Sequence, residues 1–425
     1  MKTLDYDEKF EKIHPQTLFG KLPSEEQTLI QKIATKNRFT SSELKKFIDT
    51  QIDFKMWNTT PLTQIWLQWD DLDQKFDINQ KKLNFKKLQQ TVDQLVSGET
   101  DYSGPAPALS PAYKVSKAQV VTEWKNDKVW GTCPVYSEKT VCCNLRTIDA
   151  VKNCGFGCSY CSIQTMYNHG KIEFDQHFHQ KLQNIELDST RHYHVGTGQS
   201  SDALMWGNTH GILDAMMEFA KKWPKVLVEF KSKSKKIKYF LENDIPKNIV
   251  LSWSMNPDQF ILHEEHLTAK INERLDAARK AADQGIKVSF HFHPLVFFEG
   301  WQSHYNELIQ KVLHMFLPNE VLFISFGTLT FPKPIIKKIR NYDIQSKILQ
   351  MPMVCNPEGK MTYPESIKNQ LFDFAYQQFK PWHDKVFFYL CMEERKFWLN
   401  TFGWCYDNNE QFEMALLESS FSKIK

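Results

Sequence analysis

Six short apolar runs separated by helix-like segments constrain this chain more than any other feature. The runs are TIDAV (147–151), HYHVGTG (192–198), KVLVEFKS (225–232), NIVLSWSMN (248–256), KVSFHFHPLV (287–296) and EVLFISFGTL (320–329). They are rich in β-branched and aromatic residues and too short for buried helices. Between them GILDAMMEFAKKW and ERLDAARKAADQG carry apolar residues at helical spacing, and the second stops at Gly285. Strands that alternate with helices build a parallel sheet. Six such units over 140–340 predict an α/β fold, a partial (β/α)6 barrel of the TIM type. Working residues in such barrels stand at the C-terminal ends of the strands.

The flanks read differently. Residues 1–100 are polar and mostly helical, with SSELKKFIDTQI opening on a Ser–Glu helix start. Residues 101–139 read as a linker or loop, entered through the Gly-, Pro- and Ser-rich SGETDYSGPAPALSPAY. Residues 341–425 form an aromatic-rich α/β tail (FDFAYQQF, KVFFYL, KFWLNTFGWCY) expected to pack on the barrel. A composition with 41% hydrophobic and 24% charged residues supports a sizeable core. The net charge of +3 supplies no global field for nucleic acid, so a basic contact would have to be local, as in KSKSKKIKYF (231–240). The N-terminus has no apolar core of a secretory signal, and no run of apolar residues is long enough to span a membrane. A cytoplasmic location is therefore expected. In that reducing setting nine cysteines point to metal binding or chemistry rather than disulfides.

Three of those cysteines crowd into NCGFGCSYCSIQ (153–164): Cys154, Cys158 and Cys161, spaced C-x3-C-x2-C after a strand. A structural zinc site usually takes four ligands in two close pairs, and here there is one cluster of three. Three thiolates suit a 4Fe-4S cluster with one iron left open for a substrate or cofactor. Cys142 and Cys143 are adjacent, a poor chelating arrangement, though with Cys133 and Cys355, Cys391 or Cys405 they leave a second cluster open as a reading. His291 and His293 alternate on one strand and so share a face. Trp253, Phe298, Trp301 and Tyr305 suit either core packing or stacking on a base.

The triad with an aromatic before its last cysteine resembles the signature of radical S-adenosylmethionine (SAM) enzymes. The blocks VCCNLRTIDAVKNCGFGCSYCSIQ, VLVEFKSKS, LSWSMN, HFHPLVFFEGWQSHY and FYLCMEERKFW are similar to the spore photoproduct lyase family of DNA-repair enzymes, over about residues 130–405. The resemblance implies that Cys154, Cys158 and Cys161 bind a 4Fe-4S cluster whose fourth iron is chelated by S-adenosyl-L-methionine. It implies reductive cleavage of that cofactor to a 5′-deoxyadenosyl radical, with a flavodoxin or ferredoxin as electron donor. Tyr160 would stand beside the cofactor. Gly196 and Gly198 would let the backbone approach it, and Ser201, Lys233 and Ser254 would contact it, with Lys231 as an alternative register for Lys233. Lesion-containing DNA would be the substrate.

Three positions depart from the family pattern, all on the substrate side. Gln199 stands three residues before Asp202, where the family places a hydrogen-donor cysteine. Ser162 replaces an aromatic after the last cluster cysteine. GTLTFPKP lacks an arginine that helps hold lesion DNA. Cys391, Cys355 and Tyr160 are the other candidate donors. Two further readings stay open: a radical SAM enzyme acting on a peptide or small molecule, and a non-enzymatic iron–sulfur protein that binds nucleic acid. The sequence leaves the oligomeric state open.

Overall fold

A computed structural model describes residues 6–108, 118–124, 129–133, 137–162, 170–342 and 344–424. The chain divides into two compact units. One is Met1–Lys114 with Phe331–Met353, and the other is Val115–Thr330 with Val354–Lys425.

The first unit is helical. Its helix Ser41–Met56 begins at the first Ser of SSELKK, and the residue before it, Thr40, is the N-cap. The Thr40 hydroxyl accepts from the Glu43 N–H (3.2 Å) and the Glu43 carboxylate accepts from the Thr40 N–H (2.7 Å). This capping box satisfies two orphan donors at once. Phe39, Phe47 and Trp66 are fully buried and meet edge to face around the core of the unit. Arg340, at the end of the helix Lys333–Arg340, forks onto both Asp53 oxygens at 2.7 and 2.6 Å.

The second unit carries a curled sheet of eight strands in strict chain order: β1 (Trp130–Thr132), β2 (Arg146–Ile148), β3 (Tyr193–Thr197), β4 (Val226–Ser232), β5 (Ile249–Ser254), β6 (Lys287–Leu295), β7 (Val321–Thr328) and β8 (Phe387–Leu390). From β2 to β8 every neighbour is parallel, and only β1 runs against β2. This is the partial barrel expected from the alternation. Strands β5 and β7 are buried along their whole length, as parallel strands covered on both faces must be. The helices Ile212–Lys222 and Ile271–Asp283 fall where the helical spacing puts them, and Gly285 follows the second at φ +81°. Trp253, Phe298, Trp301 and Tyr305 are all buried, so they pack the core and present no stacking surface.

Two strands lie beyond the six expected. β8 comes from KVFFYL in the tail, and β1 is a three-residue edge. The run TIDAV is also not one strand. It breaks at Asp149, whose carboxylate accepts from the Ser200 N–H (3.0 Å) and hydroxyl (2.6 Å). Val151–Lys152 then pairs in a separate small sheet with Lys171–Asp175, itself parallel to Ala118–Thr122.

A buried ion pair ties the helix Glu365–Gln378 to the segment after β8. Lys368 Nζ donates to Glu393 at 3.0 and 2.8 Å, and both side chains are almost fully enclosed. Removing one partner of such a pair leaves a buried charge uncompensated. Lys368→Met is expected to cost about 3–5 kcal/mol in urea unfolding. The double variant Lys368→Met/Glu393→Met should recover most of that loss. Equal losses in the single and double variants would contradict this account.

Candidate active site

The loop after Lys152 reverses direction at Asn153, which takes φ +72°. Its side chain fixes the turn, donating to the Lys171 carbonyl (2.9 Å) and accepting from the Cys154 N–H (2.9 Å). Gly157, at φ +64°, makes the next bend. Ser159 anchors the loop, its N–H on the Glu264 carbonyl (2.9 Å) and its hydroxyl on the Glu264 carboxylate. The chain is thereby wound so that Cys154, Cys158 and Cys161 line one cavity of about 90 Å³.

Gly198, Lys233 and Ser254 line the same cavity, from the ends of β3, β4 and β5. At Gly198 the backbone has φ +93°, and a methyl group there would sit 2.7 Å from the Lys231 carbonyl oxygen. Only glycine fits this position without strain. Asp202 also lines the cavity, and it joins two strand ends. One carboxylate oxygen accepts from the N–H groups of Leu204 (3.0 Å) and Met205 (2.9 Å) and from the Ser232 hydroxyl (2.8 Å). The other accepts from the Lys233 N–H (2.7 Å). Burial still pushes the Asp202 carboxyl above its ordinary value.

The remaining expected residues stand around this core rather than in it. Tyr160 gives its hydroxyl to Glu265, and the Lys233 ammonium lies 5.7 Å from the Tyr160 ring centre. Ser201 lines a neighbouring cavity of about 30 Å³ and accepts from the Trp206 indole N–H (2.8 Å). Gly196 lies within β3, where an added methyl would meet the Leu145 side chain at 3.0 Å. Two residues not singled out in the sequence complete the frame. Glu265 accepts from Tyr160, from Asn256 (3.0 Å) and from the fully buried Arg274 guanidinium. Arg274 also donates to the Ser254 carbonyl (2.8 Å). Burial works against the Glu265 charge, but Arg274 and Lys233 hold its carboxyl below the usual range.

Among the described residues three thiols and no imidazole face this cavity, a soft donor set. Among the described residues no three or more ligating side chains are placed to hold a single metal ion. Thiols spread around a cavity suit a cluster instead, because each then binds a different iron. Burial pushes the Cys154 thiol up to about 12 and Cys158 well above its ordinary value. Ligation would therefore release protons.

A second cavity of about 80 Å³ adjoins the first and shares Lys231 with it. Gln199, His291, His293 and Cys391 line it, as do Cys133, Cys142 and Cys143; Cys355 is exposed instead. At its floor the Glu229 carboxylate accepts from His194 Nε2 (2.9 Å), His291 Nε2 (2.5 Å) and the Ser252 hydroxyl. His291 Nδ1 faces the Ser325 hydroxyl at 2.6 Å. Burial opposes the Glu229 charge, yet the two imidazoles hold that carboxyl well below its usual range. Burial and then Lys231 lower His291 to about 4. The basic run beyond β4 is largely paired on its own surface: Lys235 with Glu273, Lys238 with Glu242, and Lys236 on the Met205 carbonyl.

Residues 143–351 match the family model described as spore photoproduct lyase. The spore photoproduct lyase of Geobacillus sp. (strain Y412MC61) is 25% identical over 43% of this chain and 54% of its own length. That of Clostridium acetobutylicum is 30% identical over 14% of this chain and 18% of its own. The chain thus spans about half the length of the first relative.

Over residues 143–351 the chain is similar to spore photoproduct lyases.

Solved spore photoproduct lyases share the fold at 20% identity, covering 72% of this chain and 94% of theirs with a TM-score of 0.54. One is complexed with dinucleoside spore photoproduct, and another carries bound AdoMet with that ligand. Residues 163–169, which follow the cysteine loop, lie outside the described residues.

Gly198→Ala is expected to lower stability by about 1–3 kcal/mol, the cost of a non-glycine residue forced to positive φ. Gly98→Ala, where a methyl meets nothing within 4 Å, should change little. Thermal unfolding separates the two. Acid should also weaken the fold through His291. Below about pH 6.5 the unfolded chain binds a proton that the folded ring refuses until about pH 4, so stability falls as pH drops through that window. His291→Gln should flatten the fall in melting temperature between pH 7 and pH 5; an unchanged slope would count against it.

Proposed function

We propose that this chain is a radical SAM enzyme acting on a pyrimidine lesion or modified base in DNA. The observation that carries the reading is the meeting of Cys154, Cys158 and Cys161 with Gly198, Lys233 and Ser254 around one cavity at the strand ends. The three thiolates would hold a 4Fe-4S cluster. When bound, the cluster would supply the electron that splits the sulfonium of S-adenosylmethionine into methionine and a 5′-deoxyadenosyl radical.

The chain's own part is placement. Gly198 lets the backbone approach the cofactor without a side chain in the way. The Lys233 ammonium offers a charge to the cofactor carboxylate, and its backbone is fixed by Asp202. Arg274 pins the Ser254 carbonyl and Glu265 together, and Glu265 holds Tyr160. Tyr160, Gly196 and Ser201 would then support the cofactor from just outside the cavity. A flavodoxin or ferredoxin would supply electrons, and the enzyme would work in the cytoplasm. Among the described residues no helix is long and apolar enough to cross a membrane. The solved relative complexed with dinucleoside spore photoproduct supports the lesion reading.

A second substrate reading has its own support. Gln199 has no S–H bond to give, so the hydrogen transfer that the resemblance implies cannot occur at that position. Cys391 shares the Gln199 cavity, and Tyr160 is committed to Glu265. The same radical initiator could therefore serve a peptide or small molecule.

The test is anaerobic. Protein reconstituted with iron and sulfide, then reduced and given S-adenosylmethionine, should release 5′-deoxyadenosine. Cys158→Ala should release none above background. Lesion-containing DNA should raise the wild-type yield. A loaded cluster that yields no 5′-deoxyadenosine, with or without DNA, would overturn the enzyme reading.

A further inference from the structure

Lys231 lies on β4, and Lys233 stands two residues on, in the bend just past the end of the strand. They serve different surroundings. Lys233 acts on Cys158, Tyr160 and Glu265. Lys231 lines both cavities, and its charge reaches His291, His293 and Cys391 in the second. Among the described residues no carboxylate pairs with the Lys231 ammonium. The carboxylate nearest in that wall, Glu229, already accepts from two imidazoles and a hydroxyl. Even the exposed Lys235 and Lys238 of the same run have acidic partners. Burial and the two lysines keep the His293 ring neutral, and among the described residues neither it nor the Gln199 amide has a hydrogen-bond partner. The cavity wall thus offers a half-buried cation and two uncharged polar groups, with no unengaged counter-charge among the described residues. A cation drawn partly out of water is stabilised by an anion brought to it.

We propose that Lys231, with Gln199 and His293, forms an oxyanion-binding subsite that holds a phosphate or carboxylate group of the substrate between the two cavities. The inference rests on the proposed active site and adds to it the substrate's charge. It also gives position 199 a task that an amide can perform, donation to an oxygen. A phosphate here fits a nucleotide substrate; a carboxylate fits a peptide or small acid.

The test is binding to reconstituted holoprotein with S-adenosylmethionine present. Isothermal titration with thymidine, thymidine 3′-phosphate and acetate is compared in wild type, Lys231→Gln and Lys231→Arg. Either the phosphate should bind at least about tenfold more tightly than thymidine, or acetate should bind measurably. That gain should vanish in Lys231→Gln and persist in part in Lys231→Arg, which also controls for folding. Which probe shows it identifies the group. An oxyanion gain that survives Lys231→Gln, or the absence of any gain in wild type, overturns the subsite. An equal loss of S-adenosylmethionine affinity in Lys231→Gln assigns the lysine to the cofactor and overturns it too. Because the readout is binding, the subsite can stand where no 5′-deoxyadenosine forms, and it can fail while cofactor cleavage succeeds.

Discussion

The site depends on one carboxylate. Asp202 accepts four hydrogen bonds, from the backbone of Leu204, Met205 and Lys233 and from the Ser232 hydroxyl. These bonds lock the loop after β3 to the end of β4. A parallel sheet supplies no such link, because its strands end in unpaired loops that must be held by side chains. Without Asp202 the loop after β3 and the end of β4 would keep the Ala203 N–H on the Lys231 carbonyl (3.3 Å) but lose these four bonds, and the wall facing the cysteine loop would be held less firmly. Four donors satisfy a buried acid that would otherwise be costly.

A second lock works from the opposite side. Arg274 is fully buried, and it reaches Glu265, the Ser254 carbonyl, the Ala269 carbonyl and the Thr268 hydroxyl. Through Glu265 it holds Tyr160, the residue before Cys161. The cysteine loop is therefore clamped at Ser159 and Tyr160 by residues of one segment, Glu264 and Glu265. Between these two locks Cys154 and Cys158 are buried and Cys161 is half-buried, an arrangement that leaves a corner for a small molecule.

Much of this was readable before any coordinates. The central strands are buried on both faces, so they announce themselves as continuous apolar runs, and the spacing of Cys154, Cys158 and Cys161 carries its chemistry locally. The edges were harder. β1 is three residues of WGT with no period to detect. β8 has the composition of a strand, but a long intervening stretch separates KVFFYL from the others, so its place beside β7 is a tertiary fact. The partners of the site hide for the same reason. Glu265 and Arg274 sit nine residues apart, and Glu229, His194 and His291 come from three strands. Nothing near them in the chain predicts that they meet. Asp202 was visible only as a marker for Gln199; its four donors come from two separate segments.

The central claim is that the cavity holds a cluster with one iron open to S-adenosylmethionine. Electron paramagnetic resonance of the reduced, reconstituted protein tests it most directly, with spectra taken before and after the cofactor is added. The account predicts a four-iron signal that changes shape when S-adenosylmethionine binds, and no such signal in Cys158→Ala. A signal that forms in the wild type and stays unchanged at saturating cofactor would contradict it, because a cluster with no accessible iron is a structural one.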